Sequence, residues 1–315
     1  MNKILILGGS GFLGRSLCEQ LTRRYPEAML VVPTRRAAHA GGLRTLPAVQ
    51  ILQADVHDPA ALAALARGCD AAVNLVAILH GRPADFAAAH VRLPEALALA
   101  LRGAGVRRLV HVSALGVAAD APSEYLRSKA AGEAALQASG LAVTLLRPSV
   151  IFGANDRLLN LFVQLQRISP VLPLAASEAR FQPVWVEDVA AAIVKTLADP
   201  ATAGRIYECA GPDVMTLSDL VRLAGRLAGC ERMQIALPDG AARAQAWVLE
   251  HLPGPTLMSR DNLDSMHVPN VAGGKLPGLA NLGITAASVQ AVAPGYLTPG
   301  LGVARLDAWR SSHRA

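Results

Sequence analysis

The chain opens with a short apolar run that leads directly into a glycine-rich turn. The run Ile4–Leu7 has the length of a buried parallel strand, and Gly8, Gly11 and Gly14 follow at three-residue spacing. The first glycine permits a tight turn, the second lets backbone N–H groups approach a pyrophosphate, and the third lets the next helix pack closely on the strand. The phosphate-binding loop of NTPases is the alternative, but Gly14–Ser16 lacks the lysine that such a loop requires. The segment therefore predicts a dinucleotide site at a helix N-terminus.

Strand-like and helix-like segments alternate from residue 1 to about residue 150. The predicted strands are Ile4–Leu7, Met29–Pro33, Val49–Asp55, Ala71–Val76, Arg108–Ser113 and Ala142–Arg147. Helices are expected to begin near Phe12, Pro59, Asp85, Ser123 and Leu158, and Pro94 should kink the third helix or mark its true start. The alternation predicts an α/β fold of Rossmann type, a doubly wound parallel sheet with helices on both faces.

A chain of 315 residues exceeds what one core usually supports, so a second, smaller lobe is expected. Residues 1–150 are predicted to form the dinucleotide-binding core. Residues 181–198, where a strand leads into a helix capped at or near Asp188, are expected to complete it. Residues 151–180 and 199–315 then form a C-terminal substrate lobe. Its expected helices follow Thr216 and lie near residues 259–266 and 285–292.

Composition and charge exclude several classes of protein. The net charge of +6 is almost entirely arginine spread along the chain, without a basic block, so no nucleic-acid partner is predicted. The four cysteines and eight histidines show no metal-ligand spacing, so no metal site is predicted, and reduced thiols indicate a cytoplasmic protein. The N-terminus does not read as a signal peptide, and no stretch reaches the roughly 20 apolar residues of a membrane span. A position at the cytoplasmic face of the membrane stays open.

The end of the second predicted strand indicates which nucleotide is bound. NAD enzymes place an acidic residue there, but this chain has Thr34, Arg35 and Arg36. Arginine suits a 2′-phosphate, so NADP(H) is favoured over NAD(H). The alternative is a pair of solvated arginines in an arginine-rich chain. Asp55, after the third strand, either meets the adenine edge or caps the following helix.

A second group of residues can supply acid–base chemistry. Tyr125 and Lys129 are four residues apart and share one helical face, and Ser113 ends the preceding strand. A lysine cation beside Tyr125 would favour the phenolate and make the tyrosine usable as an acid or base, while Ser113 would hold a substrate carbonyl. The alternative is an ordinary pair on a helix surface.

These pieces, in this order, resemble the short-chain dehydrogenase/reductase superfamily in its extended or atypical branch. The resemblance rests on Gly8–Gly14, His111–Ser113, Tyr125 with Lys129, and Leu146–Gly153. Further segments are similar to the NADPH-binding accessory subunit of respiratory complex I and its bacterial relatives, namely Tyr125–Ala130, Phe152–Asn160, Gln182–Val186, Ser259–Asn262 and Met266–His267. The chain departs from the superfamily at Val73–Ala77, where a glycine is more usual, and at His90, where asparagine often stands.

The resemblance implies a set of residues that contact the cofactor, with Pro148–Ile151 beside the nicotinamide. The set is Gly8, Ser10, Gly11, Phe12, Leu13, Gly14, Thr34, Arg35, Arg36, Asp55, Val56, Val76, Ala77, Tyr125, Lys129, Pro148, Ser149 and Ile151.

Two functions from different classes follow from the resemblance. The first is an NADP(H)-dependent oxidoreductase acting on a carbonyl or alcohol of unknown identity, with a quinone-linked substrate among the options; Ser113, Tyr125 and Lys129 would be catalytic. A sugar-nucleotide epimerase or dehydratase is a variant of it. The second is a structural or assembly protein that holds its nucleotide permanently and associates peripherally with a respiratory or ubiquinone-linked membrane complex.

Overall fold

A computed structural model of the chain describes residues 1–254 and 256–301. The strands are β1 Lys3–Leu7, β2 Met29–Thr34, β3 Val49–Gln53, β4 Ala71–Asn74, β5 Arg108–Val112, β6 Ala142–Pro148, β7 Ile151–Phe152, β8 Val171–Leu174, β9 Arg180–Phe181, β10 Val184–Trp185, β11 Ile206–Cys209, β12 Met215–Thr216 and β13 Met233–Ala236. The helices are α1 Phe12–Arg24, α2 Pro59–Ala66, α3 Pro83–Ala87, α4 Leu93–Gly103, α5 Glu124–Gln137, α6 Leu158–Ile168, α7 Val186–Ala198, α8 Leu217–Leu227, α9 Asp239–His251, α10 Arg260–Met266, α11 Val289–Val292 and α12 Pro294–Leu297.

The chain divides into two compact units. The first comprises Met1–Pro148, Glu187–Cys209 and Gly273–Thr285, and the second comprises Ser149–Val186, Ala210–Ala272 and Ala286–Ala315. The sequence predicts residues 181–198 as the completion of the first unit, whereas the structure groups residues 187–209 and 273–285 with it. Residues 302–315 of the predicted lobe lie outside the described residues.

The first unit is built on a seven-stranded sheet. The strand order is β11-β6-β5-β4-β1-β2-β3, and every neighbouring pair is parallel. All four residues of β4 are buried, as are the last four of β1, because helices cover both faces of such a sheet. The predicted α/β fold with a parallel sheet is therefore confirmed. The seventh strand, β11, was not predicted; it pairs with β6, with Tyr207 opposite Leu146.

Local signals explain where the helices of the first unit begin. Asp58 caps α2 by accepting the Ala60 N–H, and Ser123 caps α5 by accepting the Leu126 N–H. The predicted third helix is interrupted: α3 is followed by a π-helical turn, Ala88–Arg92, before α4 begins with Pro94 in its first turn. Proline lacks an N–H and is tolerated in the first turn of a helix, where the N–H groups have no partner within the helix. Pro94 therefore marks the true start of α4, which is one of the two outcomes that the sequence predicts.

The second unit contains three two-stranded sheets and six helices among its described residues. Strand β7 pairs with β10, β8 with β13, and β9 with β12. Its main core includes Phe152, Leu159, Phe162, Val163, Leu172, Leu217, Leu220 and Val221. No helix in the described part of the chain is both long and apolar enough to cross a membrane.

Two sequence expectations for this region are corrected. The run 181–189 is not one strand leading to a cap at Asp188, because Gln182 and Pro183 separate β9 from β10, and α7 already begins at Val186. Asp188 therefore lies in the first helical turn. The helix expected near residues 285–292 is limited to Val289–Val292, since Ser288 caps it by accepting the Ala291 N–H.

Candidate functional site

The glycine turn lies between β1 and α1, and its geometry leaves no room for a side chain at Gly8 or Gly14. Gly8 has φ of +79°, which favours glycine, and a Cβ there would lie 3.1 Å from the carbonyl carbon of Leu75. A Cβ on Gly14 would lie 2.5 Å from the carbonyl oxygens of Gly8 and Gly9. The Gly11 N–H donates to the Gly8 carbonyl at 3.0 Å and so closes the turn. The backbone of α1 therefore approaches β1 as closely as the sequence predicts.

The N-terminus of α1 is suited to an anion. Gly11 is the N-cap, no side chain caps this helix, and its first turn carries no acidic residue. The leading N–H groups of any helix lack acceptors within the helix, and they carry partial positive charge. Ser10, Phe12 and Leu13 belong to this turn and first helical turn. This arrangement fits a pyrophosphate.

The turn after β4 lies beside the glycine turn. Strands β1 and β4 are neighbours in the sheet, with Leu7 opposite Asn74. The buried Asn74 side chain accepts the Val76 N–H at 3.1 Å and so bends the chain directly after the strand. The structure thus brings Val76, followed by Ala77, to the same sheet edge as Gly8.

The residues after β2 and β3 complete this edge of the sheet. Arg35 and Arg36 are exposed, while Thr34 is buried and its hydroxyl donates to the Arg36 carbonyl at 3.2 Å. Asp55 does not cap α2, since Asp58 does; its carboxylate instead accepts the His57 N–H at 3.0 Å. Val56 lies in the turn between these residues. Of the two roles considered for Asp55, the helix cap is therefore wrong.

Ser113 and Lys129 meet at the end of β5. The Lys129 ammonium is buried and donates to the carbonyl of Val112 at 3.0 Å, one residue before Ser113. The Ser113 N–H donates to the Leu146 carbonyl at 2.7 Å. Ser113 is 4% exposed, and its hydroxyl oxygen has no hydrogen-bond partner among the described residues. A buried hydroxyl without a partner is costly, so it is a candidate donor for a ligand.

Tyr125 lies on α5, one turn before Lys129. The Lys129 ammonium is 6.0 Å from the centre of the Tyr125 ring, and the tyrosine is only partly buried. Tyr125, Lys129 and the end of β5 at Ser113 therefore belong to one region of the first unit. The arrangement combines a phenol, a cation and a free hydroxyl, which are the groups that proton transfer to a carbonyl oxygen requires.

Burial determines the charges in this region. It lowers the pKa of Lys129 to about 8, an effect that Glu133 partly opposes. Burial, together with the Lys129 charge, also lowers the pKa of His90 to about 3 and that of His111 well below its usual value. Both imidazoles are therefore neutral near pH 7, and Lys129 is the positive charge near them.

The sequence singles out His90 and His111 but does not predict the partners of the polar residues in this region. The buried Asn74 amide lies 3.1 Å from His111 Nδ1, and His90 bonds to both Ile78 and Ser128. Their only sequence signal is a polar residue within an apolar run. Among the described residues, no group of histidine, cysteine and carboxylate side chains could hold a metal ion.

The residues that follow β6 divide between the two units. Pro148 ends β6 in the first unit, and its carbonyl accepts the Leu115 N–H at 2.9 Å. Ser149 and Ile151 belong to the second unit, where Ile151 opens β7. The buried Ser149 hydroxyl lies 2.6 Å from Asn270 Oδ1, which also accepts the Val150 N–H. Asn270 was not predicted, and it fixes this segment within the second unit.

The first strand of the parallel sheet enters a tight glycine turn, and the helix that follows has no acidic residue in its first turn. These features define a Rossmann-type nucleotide-binding protein. Residues 4–210 match the model of the NAD dependent epimerase/dehydratase family, and the chain belongs to this family. The predicted resemblance to short-chain dehydrogenase/reductase proteins is confirmed.

Relatives include both respiratory and reductase proteins. The chain is 31% identical to "NADH dehydrogenase [ubiquinone] 1 alpha subcomplex subunit 9, mitochondrial" of Arabidopsis thaliana, over 83% of this chain and 68% of that protein. It is also 31% identical to a "Ceramide reductase" of Caulobacter vibrioides, over 78% of each chain. The resemblance to the complex I accessory subunit is thereby confirmed.

A solved structure supports the fold. The NADPH-dependent quinone oxidoreductase QOR2 of Escherichia coli, complexed with NADPH, superposes with a TM-score of 0.73 at 22% identity, covering 92% of this chain and 98% of that one.

Proposed function

We propose that this protein is an NADP(H)-dependent oxidoreductase that reduces a carbonyl to an alcohol at Ser113, Tyr125 and Lys129. The observation that carries the proposal is the buried Ser113 hydroxyl, which has no hydrogen-bond partner among the described residues and directly follows Val112, whose carbonyl accepts from the Lys129 ammonium. Such a hydroxyl is available to donate to a substrate oxygen. The membership in an NAD(P)-binding family and the reductase relative support the same function.

The cofactor would lie along the carboxyl edge of the first unit's sheet. The pyrophosphate would meet the N–H groups around Gly8–Gly14, including Ser10, Phe12 and Leu13, and the adenosine half would meet Thr34, Asp55 and Val56. Arg35 and Arg36 would pair with a 2′-phosphate, which supports NADP(H) over NAD(H). Val76, Ala77, Tyr125, Lys129 and Pro148 would border the nicotinamide ribose and ring.

The bound nucleotide would supply the hydride, and the side chains would handle the proton. Ser113 would orient the carbonyl by donating a hydrogen bond to its oxygen. Tyr125 would give its phenolic proton to the same oxygen, so that the carbonyl is reduced to an alcohol with one hydride and one proton while NADPH is oxidised to NADP⁺. The Lys129 cation would stabilise the phenolate that remains.

A Tyr125→Phe variant tests the proposal. The substitution removes only the hydroxyl, so NADPH oxidation with a panel of aldehydes, ketones and quinones should fall at least about 100-fold, while NADPH affinity stays within about 2-fold. Tyr25→Phe is the matched control, because Tyr25 is the C-cap of α1, lies under the Arg24 guanidinium and has no proposed role. Unchanged turnover in Tyr125→Phe would remove Tyr125 from the mechanism.

A structural or assembly role is the second candidate. It is supported by the 31% identity to a complex I subunit over 83% of this chain. In this role the protein would hold its nucleotide permanently and dock on a respiratory or quinone-linked complex at the cytoplasmic face of the membrane. Mass spectrometry of the denatured protein distinguishes the two, since a tightly retained nucleotide that no carbonyl compound oxidises supports the structural role.

A sugar-nucleotide epimerase or dehydratase is the third possibility in this family. Such an enzyme regenerates its cofactor within each cycle, so it would convert substrate without net consumption of NADPH. Stoichiometric NADPH oxidation would exclude it.

A further inference from the structure

We infer that His90 is a positioning residue that fixes the turn after β4 against the helix that carries Tyr125 and Lys129. His90 is buried, and its two ring nitrogens bond to different elements. Nε2 accepts the N–H of Ile78 at 3.1 Å, and Nδ1 lies 2.9 Å from the Ser128 hydroxyl. The inference rests on the proposed function, because it assigns His90 a role in aligning that site.

The hydrogen bonds define one tautomer of His90. A backbone N–H can only donate, so Nε2 must be unprotonated, and the neutral ring then carries its proton on Nδ1. Nδ1–H donates to the Ser128 hydroxyl, whose own proton is given to the Tyr125 carbonyl at 2.9 Å. The result is a continuous chain of donors from Ile78 through His90 and Ser128 to the backbone of Tyr125. Because burial holds the pKa of His90 at about 3, the chain persists across the working pH range.

The backbone is shaped to bring His90 to this position. His90 is the central residue of the π-helical turn Ala88–Arg92 between α3 and α4. Its carbonyl oxygen lies against Gly132 of α5 so closely that a Cβ at Gly132 would lie 1.9 Å from it. π-helical turns often occur at functional sites, since they redirect one side chain of a helix. Here the redirected side chain reaches across to α5.

His90 also contacts the Tyr125 ring directly. The ring centres lie 5.5 Å apart in an edge-on arrangement, and Phe86 packs against both rings. His90 thus holds Tyr125 at its ring and, through Ser128, at its backbone. At its other end it holds Ile78, which directly follows the proposed cofactor contacts Val76 and Ala77. A shift of about 1 Å between reacting groups costs on the order of 100-fold in rate. We call the link that His90 makes between the turn after β4 and α5 a clamp, and we expect it to affect kcat more than the affinity for NADPH.

Three substitutions of His90 distinguish its hydrogen bond with Ile78 from its hydrogen bond with Ser128. His90→Phe keeps the aromatic packing and loses both bonds, His90→Asn can keep a donor toward Ser128, and His90→Gln can keep an acceptor toward Ile78. We expect kcat to fall about 10- to 100-fold in His90→Phe, with KM for NADPH changed less than about 3-fold, and to be partly restored in His90→Asn or His90→Gln. His251→Asn, at an exposed histidine on α9, is the matched control. Equal kcat in His90→Phe and the wild type would overturn the inference.

A second measurement does not depend on turnover. Nitrogen NMR of ¹⁵N-histidine-labelled protein, with the His90 signal identified by its loss in His90→Phe, reports which ring nitrogen carries the proton. A proton on Nδ1 that persists between pH 8 and about 5 is expected. A proton on Nε2, or titration near pH 6.5, would overturn the inference even if the protein proves to be a reductase. If no carbonyl is reduced, the proposed function fails, and the tautomer alone decides whether the clamp exists.

Discussion

Lys129 is expected to make this protein more stable in alkaline solution than its composition would suggest. The ammonium is buried and donates to the Val112 carbonyl, and burial lowers its pKa from 10.5 to about 8. The perturbation is Lys129→Met, which keeps a long side chain and removes the charge. Lys195→Met, at an exposed lysine on α7, is the control.

The number of protons bound to Lys129 in the folded and unfolded states determines how the free energy of unfolding changes with pH. Between about pH 8 and pH 10.5 the unfolded chain keeps a proton on this lysine that the folded protein has released, so stability rises with pH in this window. At about 1.4 kcal/mol per pH unit, the interval from about 8 to 10.5 corresponds to ~3 kcal/mol. The wild type should gain this amount relative to Lys129→Met, and the gain should be absent below pH 7.

Urea unfolding of nucleotide-free protein at several pH values from 6.5 to 10.5 measures the effect. Nucleotide must be removed because a bound ligand adds its own stabilisation. The buried thiols of Cys18 and Cys209, whose pKa values burial raises to about 12, titrate in both proteins and cancel in the difference. A constant difference between wild type and Lys129→Met across this range would refute the argument that the buried charge is costly.

Three further results are expected. Gly14→Ala should lose nucleotide binding and about 1–3 kcal/mol of stability, because its Cβ meets backbone atoms at 2.5 Å, whereas Gly103→Ala, which meets nothing within 4 Å, should bind normally; equal binding by both variants would contradict this. Replacing Arg35 and Arg36 by Ser should weaken NADPH binding about 10- to 100-fold in a titration and leave NADH binding unchanged, since a charge-assisted hydrogen bond contributes about 1.5–3 kcal/mol; an equal loss for both nucleotides would argue against a 2′-phosphate contact. Ser113→Ala should raise the unfolding free energy by about 1 kcal/mol while lowering kcat about 100-fold, because the hydroxyl is buried without a hydrogen-bond partner in the part of the chain that the structure describes; a less stable variant would mean that the hydroxyl is satisfied in the native state.

Most strands of the nucleotide-binding sheet could be predicted because buried parallel strands read as largely apolar runs, although β3 is only partly buried and contains two glutamines. Each of β1 to β6 ends within two residues of its predicted bounds. The predicted ends of β3 and β4 are too long, since the side chains of Asp55 and Asn74 bend the chain there. Strand β11 was not predicted, because Ile206–Cys209 is only four residues long and contains a glutamate among its apolar residues.

The candidate site could be predicted where one residue type is required by one geometry. Gly8 and Gly14 are such positions, since a side chain at either would meet backbone. The supporting residues could not be found in this way. His90 reaches its partners only through a π-helical turn, and Asn270 reaches Ser149 from a position 121 residues away. No sequence periodicity predicts the contacts of His90 or the contact between Asn270 and Ser149.

The discontinuity of the first unit has a consequence for how the protein is made. Strand β6 leaves the ribosome well before β11 and the segment Gly273–Thr285, where Gly278 bridges to Glu208 of β11. Until then the β6 edge is open, and open edges invite pairing with other chains. A premature stop after residue 200 would thus remove a strand of the nucleotide-binding sheet. The N-terminal glycine turn lies within the first 14 residues, yet it belongs to a sheet that is complete only once β11 and the segment Gly273–Thr285 have been made.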